Sequence, residues 1–242
     1  MTDTADTAQS PTLQTSKAGR SAWKFLRDLL VIVLIAIVVS FFIKTFLVRS
    51  FYIPSASMEN TLQINDRILV NELQPKVFGL AHGDVVVFTD PGGWLPASPP
   101  SPDQNSFGQA VNGFLTFIGL GTADSDDHLI KRVIGLPGDH VVCCGASGQI
   151  EVNGKPLDEP YIIRPANGAA GAVPFDVTVP AGQLWVMGDN RYNSQDSSRN
   201  QNLPGKGFVP IDDVVGRAFV ITWPVNRWTW LGDYPDVFAG VG

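Results

Sequence analysis

Charged residues are scarce in this sequence, at 17% of 242 residues, whereas hydrophobic residues make up 44%. A disordered chain would be polar and rich in charge, and a coiled coil would be dominated by Ala, Glu, Lys, Leu and Arg, so both classes are excluded. The 24 Gly and 18 Pro follow no Gly-x-y period, which excludes collagen and indicates frequent turns. A net charge of −6 argues against nucleic acid as the main partner.

The motifs of most metal, nucleotide and serine-triad sites are also missing. There is no HExxH, GxGxxG or Walker loop, and none of the three His stands in a catalytic serine context. The two cysteines, Cys143 and Cys144, are adjacent, which is neither a disulfide framework nor a zinc pattern. We favour two strand residues, with a vicinal disulfide and a catalytic thiol as alternatives.

A long apolar run follows a polar N-terminal stretch. Residues 1–22 predict a disordered tail, and residues 29–43 carry no charge. With the continuation past Lys44, residues 29–48 form a run of 20 residues, about 30 Å as a helix, which is enough to cross a bilayer. We therefore predict a transmembrane anchor over residues 23–48. A buried core helix is disfavoured because it would keep a polar face.

Four basic residues precede the apolar run, at positions 17, 20, 24 and 27. The positive-inside rule places this end in the cytoplasm and the rest of the chain outside. A cleavable signal peptide is the alternative, with Ser55-Ala56-Ser57 as its small-x-small site. The continuation past Lys44 and the presence of Arg49 before that triplet favour an uncleaved, single-pass anchor.

Residues 49–242 predict an all-β, mainly antiparallel domain. Short runs rich in β-branched residues are separated by turn residues, and none keeps a helical period. Asn153-Gly154 predicts a type I′ hairpin turn. Residues 91–127 begin with a Pro- and Gly-rich stretch that no central strand tolerates, so we expect an irregular loop there.

Three polar segments contain candidate chemistry, although each alone is weak evidence. Residues 51–62 place Ser55 and Ser57 two residues apart, which in an extended strand points both hydroxyls the same way. Residues 128–139 hold Lys131 in an apolar strand, where lost hydration lowers the pKa of an amine. Residues 187–199 form a dense polar turn directly after a strand.

Taken together, these segments strongly resemble bacterial type I signal peptidases, which are membrane-anchored Ser/Lys serine proteases. The matching motifs are PSASM, NDRILVNE, HGDVVVF, IKRVIGLPGD, GDNRYNSQDS and VVGRA, in that order after an apolar span. The resemblance runs from about residue 24 to 222. It implies a β-rich catalytic domain with a smaller β insertion, here about residues 141–182.

The resemblance also implies a role for individual residues. Ser57 resembles the nucleophile and Lys131 the general base, while Ser55 resembles the oxyanion-hole hydroxyl that works with the Ser57 amide. Ser194 resembles the hydroxyl that orients the lysine, and Asp196 the carboxylate that holds the neighbouring backbone.

Two further residues of the polar segment 187–199 complete the implied site. Asp189 and Arg199 are predicted to support it, but Arg199 stands one residue later than the family's arginine partner of Asp196. No metal or cofactor is implied. The implied partners are secretory preproteins with A-x-A sites and the lipid bilayer, the implied location is the bacterial plasma membrane, and the oligomeric state is left open.

Three other functions are compatible with parts of this sequence. They are a related Ser/Lys protease such as a self-cleaving repressor or a conjugation maturation protease, a degenerate membrane-tethered β-domain that binds without catalysis, and a secreted binding protein released after Ser57. The presence of both Ser57 and Lys131 disfavours the degenerate domain. The three tryptophans near the C-terminus are interpreted as packing residues, with a membrane-surface contact as the alternative.

Overall fold

The computed structural model describes residues 18–95, 128–166 and 168–241. It begins with one helix, α1 (Ala18–Phe46), whose described side chains, residues 23–41, are all exposed. The chain divides into two compact units between Ile43 and Lys44. Within the described residues, no helix is both long enough and apolar enough to cross a membrane.

The helix differs at both ends from the sequence-based boundaries. Residues 18–22, which we placed in a disordered tail, belong to α1, while residues 1–17 lie outside the described residues. The apolar run was expected to continue as a helix to residue 48, but α1 ends at Phe46 and the first strand begins at Val48. Val48 pairs with Asn71 of the next strand. The end of the apolar run is therefore part of the sheet and not of the helix.

Most of the second unit is one antiparallel sheet of eight strands, in the order β1-β2-β11-β3-β4-β9-β10, with β12 also paired to β11. This confirms the predicted β-rich, antiparallel class. The strands are β1 (Val48–Tyr52), β2 (Arg67–Asn71), β3 (Val85–Thr89), β4 (His128–Gly135), β9 (Gln183–Met187), β10 (Val209–Pro210), β11 (Val214–Trp223) and β12 (Thr229–Trp230).

The central strands are buried on both faces, which explains why their sequences read as continuous apolar runs. Alternation sends Val85 and Val87 of β3 into one core cluster and Val86 and Phe88 into another. In the neighbouring strand β4, Ile130 lies in the first of these clusters, and Leu129 and Val133 lie in the second. A charged residue in β4 therefore has no exposed face to occupy.

The predicted insertion forms a second sheet of four strands, in the order β7-β6-β5-β8. Asn153 and Gly154 both have positive φ angles, 53° and 78°, as the predicted type I′ hairpin requires. Residues 91–95 of the expected irregular loop are bends, and residues 96–127 lie outside the described residues. The strands are β5 (His140–Cys143), β6 (Ile150–Val152), β7 (Lys155–Pro156) and β8 (Phe175–Thr178).

The adjacent cysteines are bonded to each other. Cys143 is the last residue of β5 and its sulfur is joined to that of Cys144, with an S–S distance of 2.02 Å. The strand interpretation is therefore right for Cys143, and the vicinal disulfide is also present. No free thiol is left among the described cysteines, which removes the catalytic-thiol alternative.

Gly216 lies where strand β11 passes close to the backbone of strand β2. A Cβ atom at this position would lie 2.4 Å from the backbone oxygen of Asn71, closer than any side chain tolerates. The absence of a side chain at this residue therefore allows the central strand pairing that carries β3 and β4.

We expect Gly216→Ala to destabilise the domain by about 1–3 kcal/mol, because the added methyl group forces two backbones apart. Urea denaturation followed by tryptophan fluorescence measures the change. Gly205→Ala is the matched control, since its nearest neighbour lies 3.7 Å away. Equal stabilities of the two variants would contradict the packing argument.

Candidate active site

Ser57 lies in a tight turn directly after β1, and this turn fixes its position. Residues Ala56–Met58 form one turn of 3₁₀ helix, entered from extended backbone at Ser55. Met58 is fully buried beneath it, and the backbone N–H of Asn190 donates to the Ser57 carbonyl at 3.0 Å. The expected extended backbone is present at Ser55 but not at Ser57, which lies in the 3₁₀ turn.

Lys131 reaches this turn from the centre of β4. It pairs with Val86 of β3, and its side chain is buried with the residue only 3% exposed. The Nζ atom donates to Ser57 Oγ at 2.8 Å and to the Ile130 carbonyl at 2.9 Å. The sheet and the turn therefore bring together two residues that are 74 positions apart in sequence.

Burial lowers the pKa of the Lys131 amine from 10.5 to about 8, because a charged ammonium loses its hydration there. The negative charges of Asp196 and Asp189 oppose this shift without cancelling it. At a pH near 8 about half of the amines are neutral, and a neutral amine is able to accept a proton from a serine hydroxyl.

Ser55 lies beside the Ser57 hydroxyl, with the two Oγ atoms 3.3 Å apart. This distance places a second hydroxyl next to the one that Lys131 contacts. An oxyanion formed at a carbonyl bonded to Ser57 Oγ would therefore have a hydroxyl donor within reach.

Ser194 does not hold the lysine as the resemblance implies. Its Oγ atom is buried and has no hydrogen-bond partner among the described residues, and Lys131 uses the Ile130 carbonyl instead. Ser194 packs tightly against Gly188, where a Cβ atom would lie 2.3 Å from Ser194 Oγ. The hydroxyl therefore lies in the site with both its donor and its acceptor positions available for a hydrogen bond.

The Asp196 carboxylate organises the polar turn that faces Lys131. It accepts the Gly188 N–H at 3.0 Å and the N–H and hydroxyl of Ser198 at 3.0 and 2.7 Å. Arg199 does not pair with it, because the turn directs its guanidinium to the Tyr192 carbonyl, at 3.1 Å. The extra residue before this arginine therefore separates it from Asp196.

Asp189 is paired with Arg132 instead of with a residue of the same turn. The Arg132 guanidinium makes two bonds to it, at 2.9 and 2.7 Å, and both side chains are fully buried. Thr61 donates to the same carboxylate at 2.5 Å. This pair fixes the turn of residues 188–190 to the strand that bears Lys131.

Sequence reasoning missed several of these supporting residues. Arg132 stands next to Lys131 on the opposite side of β4, with its guanidinium 4.1 Å from the Tyr161 ring centre. Arg191 is buried with Glu159 and also donates to the Gly188 carbonyl at 3.0 Å. The only sequence signal for these supporting contacts was the presence of Arg132 in an apolar strand and of Arg191 in a turn. Their partners, Asp189 and Glu159, are distant in sequence.

A cavity of about 410 Å³ opens over Ser57 and Lys131, and its lining also includes Ser55 and the 192–195 turn. An adjoining cavity of about 220 Å³ has a mostly apolar lining, which includes Phe51, Ile53 and Val87. The described residues contain no cluster of His, Cys, Asp or Glu that would bind a metal. The contact between Lys131 and Ser57, with the open cavity over it, suits acyl transfer from an extended peptide to the serine hydroxyl.

Comparisons with known proteins identify the family to which the sequence is similar. A family model described as signal peptidase, peptidase S26, matches residues 26–223. A probable signal peptidase I of Mycobacterium leprae is 36% identical over 89% of this chain and 81% of its own length. A signal peptidase I of Mycobacterium tuberculosis is 39% identical over 84% and 74%. A crystal structure of a signal peptidase I from Enterococcus faecalis is 23% identical, with a TM-score of 0.36, over 57% of this chain and 95% of that one.

The buried amine makes a testable contribution to stability. Its pKa is lower in the folded than in the unfolded chain, so the unfolded state binds more protons between pH 8 and 10.5. We expect the unfolding free energy of the wild type, minus that of Lys131→Met, to be constant below pH 8 and to rise by roughly 3 kcal/mol up to pH 10.5.

Urea denaturation at a series of pH values measures this difference. All other titrating groups are shared by the two proteins, so their contributions largely cancel. A difference that stays constant from pH 7 to 10.5 would show that the amine titrates as it does in water.

Proposed function

Because this chain belongs to the signal peptidase family, peptidase S26, it removes signal peptides as a serine protease, and we propose that Ser57 and Lys131 perform the reaction. Ser57 is the nucleophile and Lys131 its general base. The observation that carries this assignment is the 2.8 Å contact between Lys131 Nζ and Ser57 Oγ inside a buried, low-dielectric site.

In the proposed first step, neutral Lys131 takes the proton of the Ser57 hydroxyl as Oγ attacks the scissile carbonyl. The resulting ammonium donates this proton to the leaving amine, and the mature protein departs while the signal peptide stays as an ester on Ser57. Water then attacks the ester with Lys131 again as the base, which releases the signal peptide and restores the serine.

The oxyanion of each tetrahedral intermediate lies between the Ser55 hydroxyl and the Ser57 backbone N–H in this proposal. The 3.3 Å separation of the two Oγ atoms supports it. Such a donor contributes by stabilising negative charge that develops on the carbonyl oxygen in the transition state and is absent from the bound substrate. No metal or cofactor takes part in any step.

Asp189 and Asp196 are proposed to act through the polar turn and not on the substrate bond. Asp196 fixes the backbone at Gly188, and Asp189 ties the turn to Arg132. The Ser194 hydroxyl lies in the same cavity and is unpaired within the described part of the chain, so its proposed part is a contact made only when the substrate or the attacking water is present.

Specificity for A-x-A sites is proposed to reside in the apolar cavity beside Ser55. Its volume of about 220 Å³ accommodates small side chains of an extended peptide. The peptide is expected to pair with strand edges that line the cleft, in the manner of an added β-strand.

The chain is further proposed to be anchored in the bacterial plasma membrane by a single span, with the N-terminus in the cytoplasm and the β-domain outside. The uncharged run of residues 29–43 and the four basic residues before it support this topology. An anchor would hold Ser57 near the surface at which translocated signal peptides emerge. The alternative of a membrane-tethered domain without catalysis is not favoured, because both residues of the dyad are present and in contact.

The assignment predicts which side chains the reaction requires. With detergent-solubilised protein and a preprotein that has an A-x-A site, we expect cleavage by the wild type and a loss of about a thousandfold or more in Ser57→Ala and Lys131→Ala. Product sizes by mass spectrometry give the site and rate of cleavage.

Circular dichroism of each variant serves as the control for folding, and the wild-type rate should rise with pH with a midpoint near 8, where Lys131 becomes neutral. Activity that survives Lys131→Ala would show that the base is misassigned even if the substrate class is right. A folded wild type without any cleavage would favour the non-catalytic module.

The anchor is tested separately. Leu34→Arg combined with Val38→Arg places two charges within the apolar run, each at a cost of about 2.5–3.5 kcal/mol for insertion. We expect the wild type and the matched Leu34→Ala, Val38→Ala variant to stay in membranes after alkaline extraction, and the arginine variant to be released. Wild-type protein in the extracted supernatant would contradict the anchor.

A further inference from the structure

Three cavities of the β-domain adjoin one another in a row. The apolar cavity and the central cavity share Ser55 and Lys131 in their linings, and the central cavity shares Gln195 and Arg199 with a third cavity of about 340 Å³. The apolar and third cavities have no lining residue in common. Ser57 therefore lies in the middle member of a continuous trough, with an apolar end and a polar end.

The polar end of the trough is lined mainly by residues of the 192–202 turn. Its lining includes Gln195, Ser198, Arg199, Gln201 and Asn202, with Val173 as the apolar member. No carboxylate is among these lining residues. The only formal charge presented there by the described residues is that of Arg199.

Arg199 is exposed, and its charge is not neutralised by the described part of the chain. Its one side-chain hydrogen bond goes from Nη2 to the Tyr192 carbonyl, which carries no formal charge. Among the described residues, no carboxylate forms an ion pair with it. The carboxylate closest in sequence, Asp196, is buried and already accepts three other donors.

The two ends of the trough suit the two sides of the substrate. The signal-peptide side carries small, apolar residues next to the scissile bond, which fit the apolar cavity beside Ser55. The mature side then extends past Ser57 toward Arg199 and Gln195. A guanidinium with free N–H groups is suited to a carboxylate because it donates two parallel bonds to it.

We propose that Arg199 forms a subsite for an acidic side chain on the mature side of the scissile bond, and so favours preproteins with Asp or Glu soon after the cleavage site. This inference rests on the proposed function. The guanidinium binds the substrate carboxylate at the rim of the trough, and it takes no part in the bond-breaking steps.

The test uses peptides with an A-x-A site and a single Glu, Gln or Lys at each of the first four positions after the scissile bond. With detergent-solubilised full-length protein, we expect kcat/KM for Glu to exceed that for Gln by about two- to fivefold at one or two of these positions, the range for an exposed ion pair. Lys at the same positions should fall below Gln. High salt should reduce these differences, since the pair is solvated.

Arg199→Gln should make kcat/KM for the Glu peptide equal to that for the Gln peptide, and Arg199→Glu should reverse the preference toward Lys. Lys206→Gln is the matched control, because it removes one positive charge from the same loop but from outside the three linings. It should keep the Glu preference.

Two outcomes separate the failure of this inference from that of the proposed function. If the wild type cleaves the Gln peptide and shows no dependence on charge at any position, or if Arg199→Gln lowers the rates of all peptides equally, Arg199 is not an acidic subsite. If the wild type cleaves none of the peptides, the proposed function itself is overturned.

Discussion

The contact between Lys131 Nζ and Ser57 Oγ is the constraint on which the rest of the site depends. An amine becomes a base at moderate pH only when water is withdrawn from it, and a buried amine is tolerated only where it has hydrogen-bond partners. The structure meets both conditions by placing Lys131 in a strand covered on both faces and giving it the Ser57 hydroxyl and the Ile130 carbonyl. The burial and the partners are therefore parts of one arrangement.

The two carboxylates near this contact, Asp189 and Asp196, are bonded to groups other than Lys131. Asp189 lies near Lys131, but Arg132 holds its carboxylate in a two-bond pair. Asp196 is occupied by backbone and hydroxyl donors of its own turn. A carboxylate free to pair with the lysine would stabilise the ammonium and raise its pKa. The neighbouring carboxylates thus serve as structural acceptors.

Much of the architecture could be predicted from the sequence, because the signals for it are local. Runs of β-branched residues predict the strands, and Asn153-Gly154 predicts its hairpin through the positive φ angles it allows. The dyad was found by resemblance, since nothing local distinguishes Lys131 from a structural lysine. The free hydroxyl of Ser194 and the pairing of Arg132 with Asp189 could not be predicted, because they depend on packing between distant segments.

The distances along the chain between bonded partners bear on how this protein is made. Lys131 follows Ser57 by 74 residues, and Asp189 follows Thr61 by 128. A chain synthesised from its N-terminus contains its serine long before it contains the strands that dry and orient the base. Contacts of such long range form late because closing the intervening loops costs entropy. The contact between Ser57 and Lys131, and the turn that faces it, are therefore complete only after the greater part of the chain has been synthesised and folded.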